Sequence, residues 1–276
     1  MNLAGKIAVV TGSGRAGGLG EAIALRLAAD GATVVVSDIG RDRDAATPQD
    51  MTGGSDGMTA VADAIRAAGG TASCFPCDVR DPVQVRAMAA HAVAAHGGLD
   101  IWVNNAGIGY IMKPLLEVTP DDWGAVIAVN LTGAFYGLQA AAEVMIAQGR
   151  GGRIVNIASQ AAKSGFPHAQ AYTASKHGLV GLVRSAATEL GPHKITVNNV
   201  CPNHVTTGLG AWQNEHFAEL QGVSVPDYLA AMAARIPLGR PGLPEDTAAA
   251  VAFLCSDQAA YITAESMNVS GGEEPH

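Results

Sequence analysis

"KIAVVTGSGRAGGLGEAIALRLAADGATVVVSDI", residues 6–39, decides how the chain is read. A short β-branched run around Val9 enters a turn holding Gly12, Gly14, Gly17, Gly18 and Gly20, and an apolar pattern of helical period follows. A second β-branched run, residues 33–36, then leads to Asp38. Strand, glycine turn, helix and strand make a parallel βαβ unit. Glycine lets the turn tighten and lets backbone approach a pyrophosphate at the helix N-terminus, where unpaired N–H groups and the helix dipole favour anions. Asp38 comes about twenty residues after the glycines, where a carboxylate accepts hydrogen bonds from ribose hydroxyls and repels a 2′-phosphate. The stretch predicts a dinucleotide site, and Asp38 predicts NAD as its occupant.

Working outward, apolar strand-like runs alternate with helical patterns almost to the end. The runs "TASCFPCDV", "LDIWVNNAG", "GRIVNIAS", "KITVNNVCP" and "ESMNVSGG" read as further strands, and a long helix is expected from about Pro120 to Gln148. Short Val/Ile-rich strands separated by helices argue a parallel sheet covered on both faces, in a doubly wound α/β arrangement. No linker, repeat or low-complexity tract divides residues 1–276, so one catalytic domain is expected. Two segments break the rhythm. Residues 40–57 are polar and glycine-rich; residues 206–243 read as a long loop carrying one helix, "PDYLAAMAAR". Loops of that length in a compact domain are commonly functional, and the second is a candidate substrate lid.

The 276 residues are 48% hydrophobic and 15% charged, with a formal net charge of −8 and no basic run. That balance argues against nucleic acid or an anionic membrane as partner. No signal peptide is read at the N-terminus, and no uninterrupted apolar stretch is read as long enough for a membrane span. A soluble, cytoplasmic protein acting on a small molecule is expected. "CFPC" matches C-x-x-C, yet residues three apart on a strand face opposite ways, so Cys74 and Cys77 read as structural thiols rather than metal ligands.

"AYTASKHG", residues 171–178, places Tyr172 and Lys176 one above the other on a helix face. Together with "TGSGRAGGLG", "CDV" at 77–79, "NNAG" at 104–107, "NLTG" at 130–133, "IVNIAS" ending on Ser159 and "CPNHVTT" at 201–207, the chain resembles the short-chain dehydrogenase/reductase family over nearly its whole length. The resemblance implies a Rossmann-type sheet of about seven strands and an NAD-dependent interconversion of secondary alcohol and ketone. It implies that Tyr172 is the acid/base, its phenolate stabilised by Lys176, which also holds the nicotinamide ribose. It further implies that Ser159 hydrogen-bonds the substrate oxygen and that Asn130 supports a water chain to Lys176. Cofactor contacts are implied for Gly12, Gly18, Leu19 and Gly20, for Asp78 and Val79 beside the adenine, and for Asn104, Asn105, Ala106 and Gly107. Pro202, Val205 and Thr207 are implied at the nicotinamide end. A homodimer or homotetramer is implied, with helix 120–148 and the Tyr172 helix at the interface.

Three features depart from the family pattern. The glycine turn is two residues longer, residues 40–57 are extended, and Asn203 stands where glycine is usual, with Asn the next most tolerant of left-handed backbone. "GGSDGMTAVADAIRAAGG" resembles branches acting on hydroxyacyl thioesters, and "ATPQDM" resembles branches that retain their cofactor. A 3-hydroxyacyl-thioester dehydrogenase and a non-catalytic dinucleotide-binding module therefore stand as alternatives. Arg15 and Arg41 are basic groups near Asp38 that could neutralise a 2′-phosphate; Asp42 and Asp44 lie beside Arg41. His168, Gln170 and Lys163 are candidates for the substrate side, and Trp212, Phe217 and Tyr228 for the lid.

Overall fold

Seven short strands form on the strand-like runs: β1 (Ile7–Thr11), β2 (Thr33–Asp38), β3 (Ala72–Pro76), β4 (Ile101–Asn104), β5 (Gly152–Ile157), β6 (Ile195–Pro202) and β7 (Ser266–Val269). All neighbours pair in parallel, in the order β3-β2-β1-β4-β5-β6-β7. The structure, a computed structural model, describes residues 1–40 and 54–273. Arg41, Asp42, Asp44 and most of the 40–57 insertion lie outside the described residues.

Strand alternation sorts the core into two layers. Val10, Val34, Val36 and Ile101 face one side. There they pack against α1 (Leu19–Ala29), α2 (Ser55–Ala67) and α9 (Pro244–Cys255). Val9, Val35, Trp102 and Ile154 face the other side. They meet α3 (Pro82–His96), α5 (Gly133–Gln148) and α6 (Gln170–Leu190). Sequence punctuation sets the helix ends. Asp81 caps α3 by accepting from the N–H groups of Val83 and Gln84, Pro82 follows it, and Gly97 closes the helix at φ 89°.

A long helix occupies the expected range from Pro120 to Gln148. α4 (Pro120–Ile127), a π-helical turn (Ala128–Thr132) and α5 run on as one helix of 29 residues. It is long and apolar enough to cross a membrane, but its small residues, Gly133, Gly137 and Ala141 among them, pack it into the core. The expected long loop is corrected. Residues 206–243 hold two helices, α7 (Gly208–Gln221) and α8 (Val225–Arg235).

Candidate active site

The strand order reverses between β1 and β4, and there the chain opens a crevice at the carboxyl ends of the strands. Thr11 organises its floor. Its hydroxyl donates to the carbonyl of Val103 at 3.3 Å and accepts from the N–H groups of Asn105 and Ala106 at 3.0 and 3.1 Å. Asn105 returns the contact, donating its side-chain amide to the carbonyls of Thr11 and Gly12 at 2.9 Å each. The glycines are required sterically. Gly12 has φ 64°, and a Cβ on it would lie 2.7 Å from the Cα of Ala106. A Cβ on Gly20 would collide with the carbonyl oxygen of Gly12.

Gly12, Arg15, Gly18, Leu19, Gly20, Asp38, Asp78, Val79, Asn105, Ala106, Gly107 and Thr207 line one continuous cleft. Asp38 ends β2 with its carboxylate on the lengthened turn, accepting from the N–H of Gly14 at 3.0 Å and from that of Ile39 at 2.8 Å. Asp78 is buried and clasped by the Arg80 guanidinium at 2.5 Å. Beyond Thr207 the cleft runs on past Ser159, Tyr172, Lys176, Pro202 and Val205.

Lys176 is buried, and its ammonium donates to the carbonyl of Ile157, at the end of β5, at 2.7 Å. The same ammonium lies 5.5 Å from the centre of the Tyr172 ring. Burial pushes the Lys176 pKa down to about 8, with neighbouring Cys201 acting the other way. Burial also raises the Tyr172 pKa, and its hydrogen bond with Ser159 opposes that rise. In the protein alone, burial is thus the largest influence on the Tyr172 hydroxyl. Asn130 sits in the π-helical turn, a distortion common at functional sites. It exchanges hydrogen bonds with Ile108, accepting from its N–H at 2.8 Å and donating to its carbonyl at 2.9 Å, and it donates to the Ser175 hydroxyl at 3.2 Å.

Two further expectations are corrected. Asn104 does not face the cleft. It shares the inward face of Trp102, accepts from the Trp102 indole at 2.7 Å and donates to Asn156 at 2.8 Å. Asn203 is not left-handed; it is held by its N–H to Val269 at 3.2 Å and by its amide to Glu273. Cys74 lies on β3 and Cys77 just past it. Both are unpaired, burial raises both pKa values, that of Cys77 to about 12, and no metal-binding cluster occurs among the described residues.

A second pocket adjoins the Ser159 and Tyr172 hydroxyls. Met112, Phe166, Phe217 and Met232 supply apolar walls, and Gln160, Gln213, Asn214 and His204 supply neutral polar ones. Trp212 stacks on His216, and Tyr228 is buried against Phe217. Sequence reasoning missed Thr11, Gln160, Gln213 and the Ile157 carbonyl. Only Thr11, at the strand end just before the glycine turn, carried a usable signal.

The fold and crevice define a Rossmann-type scaffold with a tyrosine and a lysine along its cleft. A family model described as enoyl-(acyl carrier protein) reductase matches residues 12–274. The L-2,3-butanediol dehydrogenase of Corynebacterium glutamicum is 37% identical over 97% of this chain and 98% of its own. The granaticin polyketide synthase putative ketoacyl reductase 1 of Streptomyces violaceoruber is 40% identical over 96% of this chain and 92% of its own. The crystal structure of carveol dehydrogenase from Mycobacterium avium in complex with NAD superimposes with a TM-score of 0.90, at 32% identity, covering 99% of this chain and 98% of that one. The chain belongs to the short-chain dehydrogenase/reductase family, whose members are oxidoreductases using a nicotinamide dinucleotide.

Proposed function

We propose that the protein is an NAD-dependent dehydrogenase that interconverts a neutral secondary alcohol and its ketone, with Tyr172 as acid/base. The observation carrying this reading is the meeting of Ser159, Tyr172 and Lys176 along one cleft that continues to Asp38. The cradle suits a dinucleotide: Gly12 and Gly20 let the turn close tightly on itself and on Ala106, where a Cβ would collide with backbone, and the Asp38 carboxylate suits ribose hydroxyls. Gly12, Gly18, Leu19, Gly20, Asp38, Asp78, Val79, Asn105, Ala106, Gly107, Pro202, Val205 and Thr207 would hold it. Bound there, the nicotinamide supplies the hydride chemistry.

The protein's own part is proton handling and alignment. Tyr172 takes the alcohol proton in oxidation and returns it in reduction. An ordinary tyrosine pKa is near 10, so the phenolate needs stabilising charge. Lys176, fixed by Ile157, supplies it and would also hold the nicotinamide ribose. Ser159 donates to the substrate oxygen, where charge develops. Asn130 holds the backbone of Ile108 and the α6 hydroxyl of Ser175, so it keeps the two sides of the site in register and supports the path to Lys176.

No charged side chain lines the second pocket among the described residues, which supports a neutral, partly apolar substrate over a phosphorylated one. Residues 206–243 act as the lid of a single catalytic unit. Trp123 and Phe135, 44% and 42% exposed on α4 and α5, support a homo-oligomer that covers them. The likeness to a ketoacyl reductase supports a second reading, a 3-hydroxyacyl-thioester dehydrogenase. A panel of secondary alcohols, diols and 3-hydroxyacyl thioesters, offered with NAD or NADP and followed by nicotinamide absorbance, separates the two. Turnover confined to thioesters would replace the first reading by the second, and no turnover at all would count against both.

A further inference from the structure

α7 covers the substrate side of the cleft, yet Ala218 is its only buried residue. A helix with so little apolar anchorage depends on specific contacts to hold its place. Two such contacts cross to the body of the protein. Gln213 donates to the carbonyl of Gly109 at 3.3 Å. The ring nitrogens of His216 on α7 and His168, four residues before Tyr172, lie 3.3 Å apart.

Both histidines are fixed from behind. His216 lies flat on Trp212, with centroids 5.5 Å apart and planes 6° apart, and meets Phe217 edge-on. His168 has φ 65°, a left-handed conformation uncommon for a side-chain-bearing residue, and its carbonyl accepts from the N–H of Lys113 at 3.1 Å. Backbone strain of this kind persists where the surroundings over-determine it, often at a site with a task. Burial and the neighbouring His168 charge both lower the His216 pKa, with Glu219 opposing, so the neutral ring needed for an N–H···N bond is favoured. Phe166, from the same loop as His168, meets Phe217 at 6.4 Å, and both line the pocket beside Tyr172.

We propose that His168 and His216 are positioning residues: the bond between their rings pins α7 to the loop leading into the Tyr172 helix, and so sets the wall of Phe217 and Gln213 against which the substrate binds. This rests on the oxidoreductase reading for its kinetic consequence but not for its structural one. The bond raises the affinity for alcohol or ketone and leaves proton transfer and cofactor binding unaltered.

Two substitutions separate the bond from the packing around it. His216→Phe keeps the aromatic stack on Trp212 and loses the bond; His216→Gln loses the stack and keeps a polar group of similar reach. In His216→Phe, KM for the alcohol should rise about three- to tenfold, with kcat and NAD affinity within about twofold of wild type. His216→Gln should stay near wild type. Hydrogen exchange of the α7 amides in the ligand-free protein should quicken in His216→Phe and not in His216→Gln. The exchange arm needs no turnover, so a failed alcohol screen leaves it decisive. An unchanged His216→Phe with an impaired His216→Gln, or a parallel loss of kcat and NAD affinity, would overturn the proposal.

Discussion

The Lys176 ammonium lies 5.5 Å from the centre of the Tyr172 ring while bonded to the Ile157 carbonyl, so the end of β5 sets the distance between the two groups. Lys176→Met removes both the charge that stabilises the Tyr172 phenolate and the donor expected at the nicotinamide ribose. NAD affinity and kcat should therefore fall together, with kcat down by roughly 10²-fold or more. Calorimetric NAD binding beside steady-state kinetics checks this, and unchanged NAD affinity would separate the two roles.

The same lysine predicts a pH dependence of folding. Its ordinary pKa of 10.5 drops to about 8 in the folded chain, so between those values the unfolded chain holds a proton that the folded chain has released. Stability contributed by this site must therefore rise with pH across that window; below about pH 8 both states are protonated and its penalty is constant. Denaturant unfolding of wild type and Lys176→Met at pH 7.5 and 9.5 should show wild type gaining about 1–2 kcal/mol relative to the variant. A pH-independent difference would mean the buried ammonium carries no such penalty.

Asp38 should make NAD the preferred cofactor. A 2′-phosphate would bring about two negative charges against its carboxylate, and at an effective dielectric near 20 a single unit pair at about 4 Å is worth roughly 4 kcal/mol before screening. A kcat/KM preference of about tenfold to a thousandfold follows, roughly 1.4 to 4 kcal/mol. Because the same carboxylate holds the N–H of Gly14, Asp38→Ala should narrow the gap chiefly by weakening NAD. Equal kcat/KM for NAD and NADP in the wild type would remove Asp38 from this role.

Asn104, Asn156, Asn199 and Ser266 are register partners on β4, β5, β6 and β7, and their side chains form a buried hydrogen-bonded row across the sheet. Asn156→Ala would leave an amide donor of Asn104 and the amide oxygen of Asn199 unpaired. Each such group costs about 1–3 kcal/mol, so an overall loss of about 2–4 kcal/mol is expected in denaturant unfolding. A loss under about 1 kcal/mol would show that the row can re-pair.

The parallel sheet was legible because most strands hold a short β-branched or apolar run and the turns carry glycine or aspartate, as at Gly12 and Asp81. The crevice followed from the same pattern, since Thr11, Asp38 and Asn105 end or follow strands. α7 was not legible: Gly208 and Gly210 open it, and with Ala218 alone buried it has no apolar stripe to read. Asn104 was legible in principle, since residues two apart on a strand share a face and Trp102 belongs to the core. The direction of the Tyr172 shift was not, because it depends on how much protein surrounds the hydroxyl, which the spacing of Tyr172 and Lys176 leaves open.

On this mechanism Tyr172 exchanges the proton of a secondary alcohol in an NAD-dependent oxidation. Tyr172→Phe keeps the ring in its place and removes only the hydroxyl. The decisive measurement is kcat for the best alcohol found in the panel, with NAD binding measured on the same samples. NAD affinity should stay within about threefold of wild type and kcat should fall by about 10²–10⁴-fold or more. Retention of more than about a tenth of wild-type kcat would contradict this mechanism.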